Sequence, residues 1–201
     1  MNLINLFPTA VGEFNVGRAF TAEETDFVNQ QPIHKNMGNT TSDDRYVLTH
    51  RTMADLHTFV MSCVGEYFQS VYAPVNKVSL RVTQSWFNYS KPGEWHHKHA
   101  HPNSFISGVL YMKAAKEADK IYFHNDAYRQ IDIPTTNYNV YNSQSWWLPV
   151  ETGKLMLFPS SLQHSVAPVT ADDTRISLAF NTFPVGYVGD ESSLTALYLE
   201  K

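Results

Sequence analysis

The chain has 201 residues, a formal net charge of −4, 43% hydrophobic residues and 17% charged residues. This length suits one domain with a sizeable core, and the absence of a basic run argues against a nucleic-acid-binding surface. No apolar stretch approaches the length that spans a bilayer, and the first residues lack the pattern of a signal peptide. The single cysteine argues against an intramolecular disulfide and fits a reducing compartment. We therefore expect a cytoplasmic protein.

The N-terminal part of the chain is predicted to be partly helical. Thr21-Ala22-Glu23-Glu24 has the pattern of a capping box and predicts a short helix toward Gln30. The polar residues 34–46 are predicted to form a loop. From about Arg51 to Tyr72, apolar residues recur at helical spacing and predict a longer helix.

After Pro74 the pattern changes to short strands separated by turn residues, without helices between them. The predicted strands are Ser79–Tyr89, Trp95–His101, Ser104–Met112, Ile121–His124, Lys154–Phe158, His164–Val166 and Arg175–Phe183. Many short strands of this kind indicate a barrel or jelly roll. We predict one mainly β domain over residues 1–201, with helical support in 1–75, the β core in 76–187 and a C-terminal extension in 188–201.

Four of the nine histidines fall within six residues, in His96-His97-Lys98-His99-Ala100-His101. Histidine is the commonest protein metal ligand, and its neutral ring nitrogen binds iron and zinc. If the segment is a strand, His97, His99 and His101 share one face, and His96 points to the other. Two imidazoles two residues apart could hold one metal ion. The alternation allows either His97 with His99 or His99 with His101.

A distant histidine and an arginine complete the predicted site. His164 lies 65 residues after His99 (164 − 99) and is the best candidate for a third ligand. In the strand that begins at Arg175, alternation places Arg175 and Ser177 on one face and bulky apolar residues on the other. A buried guanidinium needs an anion, and its planar fork suits a carboxylate. We therefore expect Arg175 to bind a carboxylate of a ligand.

Two segments resemble the 2-oxoglutarate- and Fe(II)-dependent oxygenases. The first is His99-Ala100-His101-Pro102-Asn103-Ser104-Phe105-Ile106-Ser107-Gly108-Val109-Leu110-Tyr111, and the second comprises Leu157-Phe158-Pro159, His164 and Arg175-Ile176-Ser177-Leu178-Ala179-Phe180-Asn181. The resemblance covers roughly residues 84 to 183 and is closest to small oxygenases of phages and bacteria. It implies a cupin-like double-stranded β-helix that uses Fe(II), 2-oxoglutarate and O₂.

The resemblance also implies roles for individual residues. His99 and His164 would ligate iron, and Arg175 would bind the distal carboxylate of 2-oxoglutarate. Tyr111 is similar to the family's tyrosine at that carboxylate, and Ser177 is a weaker candidate for the same end. The family's usual His-x-Asp or His-x-Glu motif reads His-x-His here. We prefer His101 to His97 as the remaining ligand because His101 directly precedes the Pro-Asn-Ser segment that carries the resemblance. No catalytic residue beyond the metal ligands is assigned.

The implied activity is that of a dioxygenase that hydroxylates an unidentified small molecule or protein and releases succinate and CO₂. The alternative is a three-histidine zinc hydrolase or another cupin-like metalloenzyme without 2-oxoglutarate, because three histidines and a water also describe a catalytic zinc site. The alternative accounts better for a histidine at position 101, where the oxygenases usually have a carboxylate, but it accounts less well for the inward-facing Arg175. The sequence does not indicate an oligomeric state.

Overall fold

A computed structural model describes residues 1–126, 131 and 133–200. Its helices are α1 (Ala22–Asn29) and α2 (Ala54–Tyr72), and short 3-10 turns span Val47–Thr49 and Arg51–Met53. The strands are β1 (Gly12–Asn15), β2 (Ile33–Lys35), β3 (Thr40–Ser42), β4 (Val78–Ser90), β5 (His96–His99), β6 (Ile106–Lys113), β7 (Lys120–His124), β8 (Ser145–Pro149), β9 (Lys154–Pro159), β10 (His164–Val166), β11 (Arg175–Val188) and β12 (Leu197–Leu199). Within the described ranges, none of the helices is long and apolar enough to cross a membrane.

The strands form two antiparallel sheets, as predicted for a jelly roll. The larger sheet has the order β1-β9-β6-β11-β4-β3-β2, and β12 pairs with one end of β11. The smaller sheet has the order β5-β10-β7-β8. Because consecutive strands such as β4 and β5 belong to different sheets, the chain crosses repeatedly from one sheet to the other. This crossing places the histidine strand β5 opposite the strands of the larger sheet.

The central strand β11 separates the apolar core from the polar interior. Ile176, Leu178 and Phe180 pack with the residues of α2 in the main core cluster. The alternate residues Arg175, Ser177 and Ala179 line a cavity between the two sheets. The predicted alternation along this strand is therefore confirmed. A second apolar cluster closes the interior beside the cavity and comprises Tyr111, Ile121, Phe123, Val150, Met156 and Phe158.

The prediction of a loop over residues 34–46 is wrong. This segment contributes to β2 and contains β3, and β3 adds to the edge of β4 through the pairs Thr40–Tyr89 and Thr41–Asn88. The Thr41 hydroxyl donates a hydrogen bond of 3.0 Å to the carbonyl of Phe87. These pairings are tertiary, so the local polar composition did not reveal them. Strands β1, β8 and β12 were not predicted either.

The predicted capping box of α1 is confirmed. Thr21 Oγ1 accepts a hydrogen bond of 3.1 Å from the backbone N–H of Glu24, and the Glu24 carboxylate accepts one of 2.8 Å from the backbone N–H of Thr21. The same carboxylate forms an ion pair of 2.6 Å with Arg18. The hydrogen bond from Arg18 is the main cause that lowers the pKa of Glu24 below its ordinary value of 4.5.

We predict that Glu24→Gln lowers the free energy of unfolding by up to about 1 kcal/mol at pH 7, the usual contribution of a partly exposed ion pair, because the Gln oxygen can still accept the hydrogen bond from Thr21. Because the pKa of Glu24 is lower in the folded state, its contribution is complete above pH 4.5 and is lost as the pH falls through the lowered value. Urea unfolding at several pH values measures this. Glu23→Gln, in the same turn but exposed, is the control. A pH-independent difference would contradict the prediction.

Candidate metal and co-substrate site

A bulge in β5 changes which histidines face the interior. Between β5 and β10, His99 lies opposite His164 and His96 lies opposite Val166, with a register shift between the two pairs. Three steps along β5 therefore match two along β10, which interrupts the two-residue alternation. His96 consequently lines the same cavity as His99, and their rings stack with centroids 4.6 Å apart. The prediction that His96 points to the opposite face is wrong.

The predicted set His99, His101 and His164 comes together. One ligand nitrogen from each ring lies within 4.8 Å of the others. The centroid of the His99 ring is 4.3 Å from that of His164 and 4.9 Å from that of His101. His101 follows the end of β5, and its backbone N–H donates a hydrogen bond of 2.9 Å to the carbonyl of Ser160. Three side chains from two strands and one connecting segment thus converge on one point.

A second group, His96, His97 and His99, also brings three ring nitrogens within 4.8 Å. The two groups share His99, whose Nδ1 lies 2.8 Å from the carbonyl of His97. With Nδ1–H donating to that carbonyl, only Nε2 of His99 is free to bind a metal, so the groups could not both be filled. The cavity is lined by His101 and His164 but not by His97, which lines an outer groove. The alternative pairing through His97 therefore lies away from the cavity.

Hydrogen bonds to the far side of each ring fix the orientation of the three histidines. His164 Nδ1 lies 3.0 Å from the carbonyl of Leu162, which leaves Nε2 of His164 for a metal. His101 Nδ1 lies 3.5 Å from the side-chain amide of Asn181, and this amide bonds Ser107 at 2.8 Å. Asn181 Nδ2 faces His101 Nδ1, and Asn181 Oδ1 accepts the hydrogen bond from the Ser107 hydroxyl. Turning this amide by 180° would let its oxygen accept Nδ1–H of His101 and its nitrogen donate to Ser107, and this is the orientation that leaves Nε2 of His101 for a metal. Such outer contacts set the tautomer and the pose of metal-binding histidines.

The interior histidines are held in the neutral form. Burial, assisted by the neighbouring histidines, lowers the pKa of His164 and of His96 to about 3, and that of His101 to about 4. Burial also lowers the pKa of His99. At neutral pH each ring therefore keeps an unprotonated nitrogen, as metal binding requires. The donor set suits a borderline metal such as Fe(II) or Zn(II).

Arg175 has a protein partner that the sequence analysis missed. Its Nη1 donates to Asp119 Oδ1 at 3.3 Å, and both side chains are at most 5% exposed. Asp119 Oδ2 also accepts a hydrogen bond of 2.8 Å from the backbone N–H of Ala115. Asp119 lies in the charged segment 116–120, which looks like a solvated turn, so no local signal indicates its burial. The guanidinium therefore does not depend on a ligand alone for charge compensation.

The other two candidate residues lie beside Arg175. Tyr111 on β6 is opposite Ser177 on β11, and both line the cavity. Tyr111 is 2% exposed, and burial raises the pKa of its phenol, which remains a hydrogen-bond donor at neutral pH. The cavity volume is about 40 Å³. One chamber therefore contains the histidine group at one end and a guanidinium, a phenol and a hydroxyl at the other.

Residues 84–181 match the family described as "Putative 2OG-Fe(II) oxygenase". They belong to the 2-oxoglutarate- and Fe(II)-dependent oxygenases. The protein is therefore an oxidoreductase with iron as its metal and 2-oxoglutarate as its co-substrate. The family match favours this function over that of a zinc hydrolase. The matched segment contains all six predicted site residues: His99, His101, Tyr111, His164, Arg175 and Ser177. A search of curated protein sequences gave no match.

Solved structures share the fold at low sequence identity. A 2OG-Fe(II) oxygenase family oxidoreductase from Burkholderia pseudomallei is 13% identical, with a TM-score of 0.59 over 86% of this chain and 83% of the other. HygX from Streptomyces hygroscopicus, with nickel and 2-oxoglutarate bound, is 9% identical, with a TM-score of 0.61 over 87% and 82%. A Pseudomonas putida prolyl-4-hydroxylase is 13% identical, with a TM-score of 0.52 over 86% and 92%. The double-stranded β-helix is therefore confirmed.

Proposed function

We propose that the iron is held by His99, His101 and His164, and that Arg175, Tyr111 and Ser177 bind the distal carboxylate of 2-oxoglutarate. The enzyme would use O₂ to hydroxylate a C–H bond of an unidentified small molecule or protein. One oxygen atom enters the substrate and the other enters succinate, with release of CO₂. The observation that carries the proposal is the convergence of three neutral imidazoles on the chamber that contains the Arg175 guanidinium.

The donor set fits an iron ion that must keep positions open. His99, His101 and His164 would hold the iron and would leave other coordination positions for 2-oxoglutarate and O₂. When bound, the iron supplies the redox chemistry that couples 2-oxoglutarate and O₂. The chain contributes the fixed imidazoles and the apolar lining of Val109, Ile121 and Ala179, which limits the access of water.

Arg175 would bind 2-oxoglutarate while it remains paired with Asp119. The hydrogen bond to Asp119 engages Nη1, and a guanidinium carries five N–H donors, so other donors are available to a second anion. The phenol of Tyr111 and the hydroxyl of Ser177, which come from adjacent strands, can donate to the same carboxylate. We also infer that residues 1–201 act as one domain, because α2 packs on the outer face of the larger sheet.

We predict that the protein binds one Fe(II) or Zn(II) and that His101→Ala and His164→Ala each weaken this binding about 100-fold or more. Even outer contacts to metal ligands contribute 10–100-fold, so loss of a ligand should cost at least as much. Isothermal titration with Zn(II) measures the affinity. His97→Ala is the matched control because it removes a neighbouring imidazole outside the chamber. Loss of binding in His97→Ala with retention in His101→Ala would move the site to the outer group.

We predict that Arg175→Gln weakens 2-oxoglutarate binding by about one to two decades, since a hydrogen bond to a charged group contributes roughly 1.5–3 kcal/mol. The variant is made together with Asp119→Asn so that no unpaired charge remains buried. An anaerobic titration that follows the visible band of the iron chelate measures the affinity. Asp119→Asn alone is the control and should bind at least as tightly as the wild type, because it removes a competing anion. Equal affinity in all three proteins would place the carboxylate elsewhere.

The proposed reaction is tested by succinate release. With Fe(II), 2-oxoglutarate, O₂ and a reductant, we expect slow succinate formation even without the primary substrate. Zn(II) in place of Fe(II) should give none, because zinc has no accessible redox change. His99→Ala should also give none. Hydrolytic activity of the zinc form, without succinate from the iron form, would instead support the zinc hydrolase.

A further inference from the structure

Two buried amide atoms in the chamber have no hydrogen-bond partner. Within the described ranges, Asn39 Nδ2, Asn88 Oδ1 and His97 Nδ1 are the buried side-chain polar atoms without one. Asn39 is 4% exposed and Asn88 is 6% exposed, and both line the chamber that holds His99, His101 and His164. An unsatisfied buried polar atom costs roughly 1–3 kcal/mol. A ligand group in the chamber that satisfied both atoms would recover this energy.

The orientation of Asn39 is set by its own loop. Asn36 Nδ2 donates to Asn39 Oδ1 at 3.1 Å, so the amide oxygen of Asn39 is already engaged. The backbone N–H of Asn36 also donates to the carbonyl of Asn39 at 2.8 Å. Gly38, at φ +87°, accepts a hydrogen bond of 2.9 Å from the backbone N–H of Trp95, next to β5. Asn39 therefore presents Nδ2 as a fixed donor.

Asn88 adjoins one of the residues proposed to bind 2-oxoglutarate, Ser177, and both asparagines lie farther from Tyr111. Asn88 on β4 is opposite Thr41 on one side and Ser177 on the other, and Ser177 is in turn opposite Tyr111. The strand order is β3-β4-β11-β6, with neighbours about 4.8 Å apart, so Asn88 and Tyr111 are separated by about 10 Å. Asn39 immediately precedes β3, one strand further away. The asparagines thus lie on the side of Ser177 that faces away from Tyr111.

We infer that Asn39 and Asn88 bind an amide group of the primary substrate, either a carboxamide or a peptide unit. The amide oxygen accepts from Asn39 Nδ2, and the amide N–H donates to Asn88 Oδ1. A carboxylate or an ester has no N–H for Asn88, and an ammonium group has no acceptor for Asn39. A hydroxyl group can donate and accept, but it does both through one oxygen, whereas an amide offers its acceptor and its donor on two separate atoms, as two asparagines on different segments require. Trp86, two residues before Asn88 and also in the lining, supplies a flat apolar surface beside them. The inference rests on the proposed function, because it names the substrate class of the same chamber.

The test compares three small probes on protein loaded with Zn(II) and 2-oxoglutarate. Butanamide, methyl butanoate and butanoate have the same carbon chain and differ in their hydrogen-bonding groups. Ligand-observed NMR titration should show butanamide binding about tenfold more tightly than either control, which corresponds to about 1.4 kcal/mol. Equal binding of the three probes, or tighter binding of butanoate, would overturn the inference.

Two variants assign this preference to the asparagines. Asn39→Asp replaces the donor with an acceptor and keeps the oxygen that Asn36 contacts, and Asn88→Leu removes the acceptor. Each should abolish the preference for butanamide and change the 2-oxoglutarate affinity less than about threefold. Asn5→Asp, at an exposed position, is the control. If either variant weakens 2-oxoglutarate binding as much as it weakens amide binding, the asparagines belong to the co-substrate site and the inference is wrong.

Failure of the proposed function gives a different result. Metal and 2-oxoglutarate affinities are measured first, without any amide, so their absence tests the oxygenase site by itself. The butanamide titration is then repeated on metal-free protein, in which Asn39 and Asn88 are unchanged. If metal-free wild type prefers butanamide and Asn39→Asp does not, the amide site stands independently of the iron chemistry. If Asn88→Leu does not fold, Asn39→Asp and the selectivity of the wild type still decide the case.

Discussion

The pairing of His99 with His164 across β5 and β10 is the constraint on which the site depends. It brings together two residues that are 65 positions apart (164 − 99), and it leaves their rings with centroids only 4.3 Å apart. Backbone carbonyls at His97 and Leu162 hold the far side of each ring. Because these carbonyls belong to the same short segments as the histidines, ring orientation follows directly from the local backbone. The pairing thereby determines both where the imidazoles lie and which nitrogen of each faces the chamber.

Features encoded by local pattern could be predicted from the sequence, and features that depend on tertiary register could not. The alternation of Arg175 and Ser177 against Ile176 and Leu178 identified the inward face of β11 correctly. The same reasoning failed for His96, because β5 contains one additional residue relative to β10. The sequence does not reveal this residue, since histidines occur on both predicted faces of the strand. A bulge is fixed by the partner strand rather than by the residues that form it.

Asp119 and Asn39 illustrate a second limit of sequence reasoning. Both are polar residues in segments that look solvated, and both are at most 4% exposed in the folded chain. Their burial follows from contacts with distant elements: Asp119 with Arg175, and the loop before Asn39 with Trp95. Asn39 also lies outside the family-matched residues 84–181, whereas all six proposed metal and co-substrate residues lie within them. The N-terminal support thus contributes directly to the chamber as well as covering the core.

Asp119 gives a physical reason why a third histidine can stand where the family usually has a carboxylate. In a two-histidine, one-carboxylate site, an Fe(II) ion and a 2-oxoglutarate dianion leave one negative charge, which an unpaired arginine at the distal carboxylate would balance. Here the proposed ligands are three neutral imidazoles, and Arg175 is already paired with Asp119. The metal and the co-substrate then cancel each other's charge, and the arginine and the aspartate do the same. Both arrangements give a buried chamber with no net charge, and buried net charge is costly. With the proposed ligands, the negative charge lies beside the arginine instead of at the metal, so a histidine at position 101 and a buried Asp119 would together keep the chamber neutral.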